Sequence, residues 1–302
     1  MKIRIILNPY ANRWGGKRRQ PQIEAACRAA GLDFDLIHIP APGHGGRLAQ
    51  EALAEGVDAV VAAGGDGTVN EVVNGLIAAA GEGATAPLGV LPVGTGNDFN
   101  DMNGLPRELT AAAAIIAAGH TRQVDAGQVT ADGQVHYFDN NCALAMEPLV
   151  TYENVRLKRL SGNVRYVAAL VLAILKLKAW QMSIHSDNGF AHHGPTYLLS
   201  ICNSPRTGGL FRMAPEATVD DGLFDVVFAP EIPKRTVLAI LPRLFSGSHV
   251  HHRSISYTRA AELTISSRPG TPIHADGELI AEAAREVHYQ MLPGKITLLA
   301  PA

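Results

Sequence analysis

One junction constrains this chain more than any other feature. The apolar run Asp58-Ala59-Val60-Val61-Ala62-Ala63 ends in Gly64-Gly65-Asp66-Gly67-Thr68, and Val69, Val72, Val73 and Leu76 follow at spacings of three and four. Small and β-branched residues in succession, without polar alternation, predict a strand buried on both faces. The later spacing predicts a helix with one apolar face. Gly64, Gly65 and Gly67 permit positive φ and a close approach of backbone N–H groups to a ligand. Thr68 is placed to cap the helix, with Glu71 as its reciprocal capping-box partner. A helix N-terminus with open N–H groups favours an anion, phosphate above all. Asp66, inside that positively polarised loop, is then useful for holding a metal ion or taking a proton. The loop has neither the Lys-Ser/Thr ending of a P-loop nor the spacing of the dinucleotide fingerprint, so a different class of phosphate site is implied.

Around the junction the chain alternates. A strand is expected over residues 3–7, a breaker-rich loop over 8–17, a helix over 21–30, a strand over 32–39, a helix over 46–56 and a strand over 57–63. This order predicts a doubly wound parallel sheet with ligands at the carboxyl ends of its strands. A further buried strand at 87–92 leads into a second punctuated loop, Val93-Gly94-Thr95-Gly96-Asn97-Asp98-Phe99, which can face the same crevice. Asn97 or Asp98 also suits a plain helix cap. From about residue 121 the chain turns to short β-type runs at 122–129, 135–144, 196–203, 223–228, 254–257, 262–266, 272–275 and 286–292, which predict a β-sandwich or distorted barrel. The expected fold is α/β: a doubly wound parallel domain, 1–124, and a β-sandwich-like domain with helical insertions, 125–302. The last strand is free to pack back on the first domain.

Composition narrows the function. A length of 302 residues suits two domains, and a net charge of −2 with 47% hydrophobic residues makes no electrostatic case for nucleic acid. Cys27, Cys142 and Cys202 are widely separated, so neither a disulfide framework nor a zinc site is expected, and a reducing cytoplasm is. The start of the chain runs into Asn8-Pro9 too soon for a signal peptide and reads as the first strand. Helical insertions are expected at 163–180 and 234–245. In the first, Val167, Leu170, Val171, Ile174 and Leu175 form an apolar face edged by Arg165, Lys176 and Lys178. Its apolar stretch is about half the roughly 20 residues of a membrane span. It suits a helix packed on its own domain, or one that rests on an anionic membrane. His192, His193, His249, His251 and His252 have no acid or cysteine at ligand spacing and are expected in solvated loops.

Taken together, Gly64-Gly65-Asp66-Gly67-Thr68, Pro92-Val93-Gly94-Thr95-Gly96-Asn97-Asp98-Phe99, Asn8-Pro9, Val124-Asp125, Asp221-Gly222-Leu223-Phe224-Asp225 and Asp276-Gly277-Glu278 form a pattern. The chain resembles the diacylglycerol kinase catalytic-domain family, which includes the soluble bacterial lipid kinases and the sphingosine kinases, and the likeness runs over nearly its whole length. The resemblance implies a nucleotide-binding α/β domain, a lipid-binding β-rich domain and ATP in the cleft between them. It gives the nucleotide phosphates to Gly64, Gly65, Asp66, Gly67, Thr68, Val69 and Asn70. It brings Asn8, Pro9 and Arg13 of the first loop, and Gly94, Thr95, Asn97 and Asp98 of the second, toward the nucleotide. It makes Glu278 or Asp66 the base on the acceptor hydroxyl, and it puts a structural Mg²⁺ at Asp221 with the carbonyls of Leu223 and Thr218. Three places depart from the family pattern: Ala145 and Glu147 stand where Gly and Asp are usual, Ile39 replaces a threonine, and Ala11-Asn12-Arg13 displaces a glycine after Asn-Pro.

The expected reaction is transfer of the γ-phosphoryl group of ATP to a lipid hydroxyl, of diacylglycerol or a related lipid, with Mg²⁺ near Asp66 and Asp98. Implied partners are the lipid substrate, transient contact with a membrane surface, and a second copy in a homodimer. Two alternatives remain. An NAD kinase-like kinase of a soluble acceptor shares the central loop, and a non-catalytic lipid- or nucleotide-binding protein keeps the site without turnover.

Overall fold

Strands without polar alternation must be covered on both faces, and they form the centre of a parallel sheet. The computed structural model describes residues 1–157 and 162–302. In it β1 (Lys2–Leu7), α1 (Ala11–Ala29), β2 (Asp33–His38), α2 (Gly45–Ala54), β3 (Ala59–Gly64), α3 (Asp66–Ala80) and β4 (Leu88–Pro92) alternate, and α4 (Asp98–Met102), α5 (Leu109–Ala118) and β5 (Thr121–Ala131) follow. The strand order is β4-β3-β1-β2, and every pair is parallel. Because β2 lies on one side of β1 and β3 on the other, the winding reverses between β1 and β3. The carboxyl ends of strands beside such a reversal are where α/β sheets place their ligands. Ile3, Ile5, Leu7, Val61 and Leu91 pack with Ile23 and Cys27 of α1 and Ile116 of α5 to form the core. Met1–Ala126 and Pro293–Ala302 make up this first unit, and Gly127–Leu292 the second.

Two expected helix starts are corrected. The first helix is helical from Gly15, with Pro21 inside it and a non-helical Asn12-Arg13-Trp14 ahead of it. Gly16 sets that start, since a Cβ there would lie 2.0 Å from the carbonyl oxygen of Asn8. The second correction concerns α3, whose N-cap is Gly65 and not Thr68. Gly65 is extended, and its carbonyl accepts the N–H groups of Thr68 (2.9 Å) and Val69 (3.1 Å). Glu71 serves the neighbouring helix instead: its carboxylate accepts the N–H groups of Gly43 (2.9 Å) and Gly45 (2.7 Å) at the start of α2.

The second unit holds β6 (Gln134–Phe138), β7 (Asn141–Ala145), α6 (Met146–Arg156), α7 (Gly162–Leu175), β8 (Trp180–Ser186), β9 (Ala191–Cys202), β10 (Phe224–Pro230), α8 (Lys234–Ile240), a 3-10 stretch Leu241–Phe245, β11 (Ser256–Ala260), β12 (Glu262–Ala275) and most of β13 (Glu278–Leu299). β9 and β12 each pair with β7 toward one end and with β8 toward the other, so the antiparallel sheet closes on itself. Its β-sandwich-like interior is filled by Phe138, Leu199, Ile201, Phe224 and Tyr289. The run expected over 135–144 is broken at 139–140, the runs at 262–266 and 272–275 are one strand, and the first helical insertion ends at Leu175, before β8. β13 continues into the first unit, where Leu298 pairs in parallel with Leu88 of β4. Among the described residues no helix is long and apolar enough to cross a membrane.

Candidate functional site

Three loops leave the carboxyl ends of the adjacent strands β1, β3 and β4, and hydrogen bonds tie them in pairs. Asn8 Nδ2 donates to Thr68 Oγ1 (3.0 Å), joining the first loop to the start of α3. Thr95 Oγ1 donates to Asn12 Oδ1 (3.1 Å), joining the first loop to the third. Phe99 donates its N–H to Asp66 Oδ1 (3.1 Å), and the N–H groups of Val93 (2.9 Å) and Gly94 (3.0 Å) both reach the Gly64 carbonyl. The glycines are there for space. A Cβ on Gly94 would lie 2.3 Å from Gly65 Cα, one on Gly65 would lie 2.8 Å from the Gly96 carbonyl, and one on Gly64 would lie 2.2 Å from Thr68 Oγ1. None of Gly64, Gly65 and Gly67 takes the positive φ that the sequence allowed them.

Positive φ appears instead at Asn12 (50°), Arg13 (52°) and Trp14 (70°), three consecutive residues with side chains. Such a conformation costs on the order of 1–3 kcal/mol each and persists only where the surroundings impose it. Here the Asn12–Thr95 bond and the Lys17 N–H on the Pro9 carbonyl (3.1 Å) hold it. Arg13 is exposed, Val69 is buried, and Asn97 bonds the Gly94 carbonyl through Nδ2 (3.2 Å) without capping α4 by its side chain. Asp66 and Asp98 both lie in the first turns of helices, α3 and α4, where the macrodipole favours an acid. The loops therefore gather a helix N-terminus, two acids and several amide groups, a setting for phosphate and its cation. The roles of Asn12 and of the Phe99 N–H were not readable from the sequence, since each acts through a partner far along the chain.

The second group of expected residues lies in the second unit. Glu278 is exposed and opens β13 at the tip of the β12–β13 hairpin, and Asp276 and Gly277 make its turn with φ of 47° and 83°. Asp-Gly is the composition such a turn favours. The Asp276 carboxylate accepts the N–H groups of Asp139 (2.9 Å), Asn140 (3.0 Å) and Asn141 (2.9 Å). Buried His274 holds the turn from the other side, its Nδ1 accepting the Gly277 N–H (3.3 Å). In the neutral ring that bond leaves the proton on Nε2, which lies 3.4 Å from Glu147 Oε2. Asn141 Nδ2 donates to the same oxygen (3.0 Å), and Glu147 Oε1 is buried without a partner. Ala145, where the resemblance leads one to expect glycine, keeps a positive φ of 67° at the N-cap of α6. No spacing in the sequence linked His274 to Glu147.

The residues expected to hold a structural Mg²⁺ are otherwise engaged. Asp221 Oδ2 pairs with Arg259 Nη2 (2.7 Å) and Oδ1 accepts the Leu223 N–H (3.1 Å), while Thr218 is exposed. Arg259 Nε also faces buried Asp225 (3.5 Å), whose Oδ1 takes the Tyr257 hydroxyl (2.5 Å). Burial pushes the Asp225 carboxyl and the Tyr257 hydroxyl up. In this structure the Arg259 guanidinium supplies the positive charge beside Asp221. Among the described residues no group of three or more His, Cys, Asp and Glu could hold a metal ion. One histidine expected in solvent is not there: His249 is buried, and burial lowers its pKa to about 4.

Comparison with known proteins follows the same division. A family model described as the diacylglycerol kinase catalytic domain matches residues 2–129, and one described as the YegS C-terminal NAD kinase beta sandwich-like domain matches residues 142–300. A diacylglycerol kinase of Bacillus subtilis (strain 168) is 30% identical over 99% of this chain and 93% of its own. One from Staphylococcus haemolyticus (strain JCSC1435) is 31% identical over 91% of this chain and 81% of its own. A diacylglycerol kinase crystal structure from Bacillus anthracis str. Sterne shares the fold, with a TM-score of 0.72 at 21% identity over 99% of this chain and 97% of that one. With full-length relatives at this identity and both halves matched, the chain belongs to the diacylglycerol kinase catalytic-domain family of lipid kinases.

Proposed function

We propose that the protein transfers the γ-phosphoryl group of ATP to a hydroxyl of diacylglycerol or a closely related lipid. The observation that carries this reading is the set of three loops tied around the N-terminus of α3, in a chain aligned almost end to end with a diacylglycerol kinase. Phosphoryl transfer asks a protein mainly to position its reactants and to neutralise charge. In this reading the backbone of Gly64, Gly65, Gly67 and Thr68 and the dipole of α3 receive the phosphates, flanked by Val69 and Asn70. Asn8, Pro9, Arg13, Gly94, Thr95 and Asn97 border the nucleotide. Asp66 and Asp98 would hold the Mg²⁺ that accompanies ATP, which supplies charge neutralisation on the phosphoryl oxygens. Glu278 takes the proton of the acceptor hydroxyl, a contribution on the order of 10²–10⁴-fold in rate. Asp66, which receives the Phe99 N–H, keeps to the phosphate side. Since the acceptor resides in a bilayer, the enzyme works at a membrane surface.

The test is transfer of label from γ-labelled ATP into a panel of lipids in mixed micelles with magnesium, beside Glu278→Gln and Asp66→Asn. The expected result is one labelled lipid class and a fall of at least 10²-fold in kcat for Glu278→Gln. Activity that survives both substitutions would sink the mechanism. A second reading, a kinase of a soluble acceptor, draws on the NAD kinase in the description matched by residues 142–300. Label in NAD and in no lipid would favour it.

A further inference from the structure

The loop after β1 leaves two aromatic rings in solvent. Tyr10 is 46% exposed and Trp14 53%, and they lean on each other with ring centroids 4.4 Å apart and planes inclined at 59°. The other tryptophan of the chain, Trp180, is buried. Hydrogen bonds of the loop set both exposed rings. Asn8 Oδ1 accepts the Tyr10 N–H (3.0 Å), while Nδ2 of the same amide donates to Thr68 Oγ1 at the start of α3. The Trp14 N–H reaches the Tyr10 carbonyl (3.3 Å), and Asn12 between them accepts the Thr95 hydroxyl. One side chain thus ties the rings to the phosphate loop, and another ties them to the loop after β4.

A bulky residue at a φ of 70° is an outlier, and here it holds an indole in water. The surroundings select what would cover it. Residues 8–19 carry Arg13, Lys17, Arg18 and Arg19 and no acid, and the first three of these cations are exposed. The same stretch has no Val, Leu, Ile, Met or Phe to enter the acyl boundary of a bilayer. Flat rings, with cations beside them and the N-terminus of α3 two hydrogen bonds away, match a ligand that is planar at one end and anionic at the other. A nucleoside triphosphate has that form. Stacking of a base on an aromatic side chain is worth about 1–3 kcal/mol and tolerates any base, since each has a π face.

We propose that Tyr10 and Trp14 form the platform on which the base of the nucleotide stacks, and that this platform admits adenine and guanine alike. The inference rests on the reading of ATP as phosphoryl donor and adds to it two residues and a tolerance for either purine, but its test reads binding without a lipid. Tryptophan emission of the full chain with Mg²⁺ is followed as ATP, GTP or inorganic tripolyphosphate is added, beside Trp14→Phe. ATP and GTP should quench the wild type, tripolyphosphate should not, and Trp14→Phe should lose the response because Trp180 is buried. In calorimetry, Trp14→Ala should weaken ATP binding about tenfold and Tyr10→Ala about fivefold, with Trp14→Phe within about threefold of the wild type. Tripolyphosphate should bind all four proteins equally. Both Ala variants should keep the wild-type melting temperature, since the rings they remove are exposed.

Equal quenching by tripolyphosphate, or Ala variants that bind ATP as the wild type does, would overturn the proposal. So would Trp14 emission that responds to phosphatidylglycerol vesicles and to no nucleotide, since the rings would then face a bilayer. If ATP and GTP quench Trp14 while no lipid accepts phosphate, the proposed function fails and the platform stands. If lipid is phosphorylated while Trp14 stays silent, the function stands and the platform fails.

Discussion

The phosphate loops and the hairpin that carries Glu278 are built by opposite means. In the first, backbone meets backbone: Gly94 lies against Gly65, and Val93 and Gly94 share the Gly64 carbonyl. In the second, buried side chains do the holding, with Asp276 on three N–H groups and Glu147, Asn141 and His274 in one contact group. A backbone site tolerates little change in its glycines and much in its neighbours. A side-chain site can be rewritten one pair at a time. The departures at Ala145 and Glu147 fall in the rewritable region.

The largest effect should come from the backbone site. Gly94→Ala drives a methyl to 2.3 Å from Gly65 Cα, a clash no rotamer relieves. We expect a loss of about 3 kcal/mol in urea melts and an ATP KM raised beyond saturation in the lipid assay. Near-normal KM would mean that the loops do not receive the nucleotide.

The second unit should instead show a pH limit, at a buried histidine outside the hairpin. Burial lowers His249 from its ordinary value to about 4. Below pH 6.5 the unfolded chain takes this proton first, so stability is full above that pH and is lost as pH falls toward 4. The shift corresponds to about 3 kcal/mol. Denaturation of His249→Leu should lack that acid loss, whereas parallel pH profiles for the two proteins would remove His249 as its source.

His274 allows the two contacts of the hairpin to be separated. His274→Asn can still accept the Gly277 N–H, and His274→Gln can still donate toward Glu147. If the turn matters for positioning Glu278, kcat should fall on the order of tenfold in the Gln variant and stay within threefold in the Asn variant. Equal losses that track the melting temperature would reduce His274 to a packing residue. The smallest change should be a gain: Ala145→Gly relieves a side chain at φ 67° and should add about 0.5–1 kcal/mol after the entropy cost of glycine. A loss of stability on that substitution would show that the backbone there is not strained.

Much of the first site was legible because its signals are local. Gly64 to Thr68 and Gly94 to Phe99 announce themselves within a few residues, and the apolar strands beside them follow from periodicity alone. The bonds that join the loops were not legible, since Asn8 and Thr68 are 60 residues apart and Thr95 and Asn12 are 83 apart. α6 escaped notice because Pro148, which stands in its first turn, reads as a breaker in sequence and its polarity is mixed, and β8 was hidden by Lys176 and Lys178, which extend the helical pattern of α7 beyond its end. The acid pair at Asp221 and Asp225 reads as well for a cation as for an arginine, and only the fold brings Arg259 to it.

The return of β13 sets an order for synthesis. Ile296, Leu298 and Leu299 are buried in the unit that begins at residue 1, and Lys295 donates to the carbonyls of Gly81 (2.5 Å) and Gly83 (2.6 Å) at the end of α3. On the ribosome, the place beside β4 therefore waits through all of residues 127–292. Nascent chains ordinarily complete their leading domain first. Here the trailing unit can close while the leading one is still missing a strand, and the helix that carries the phosphate loop is secured at its far end only when Lys295 and its neighbours emerge.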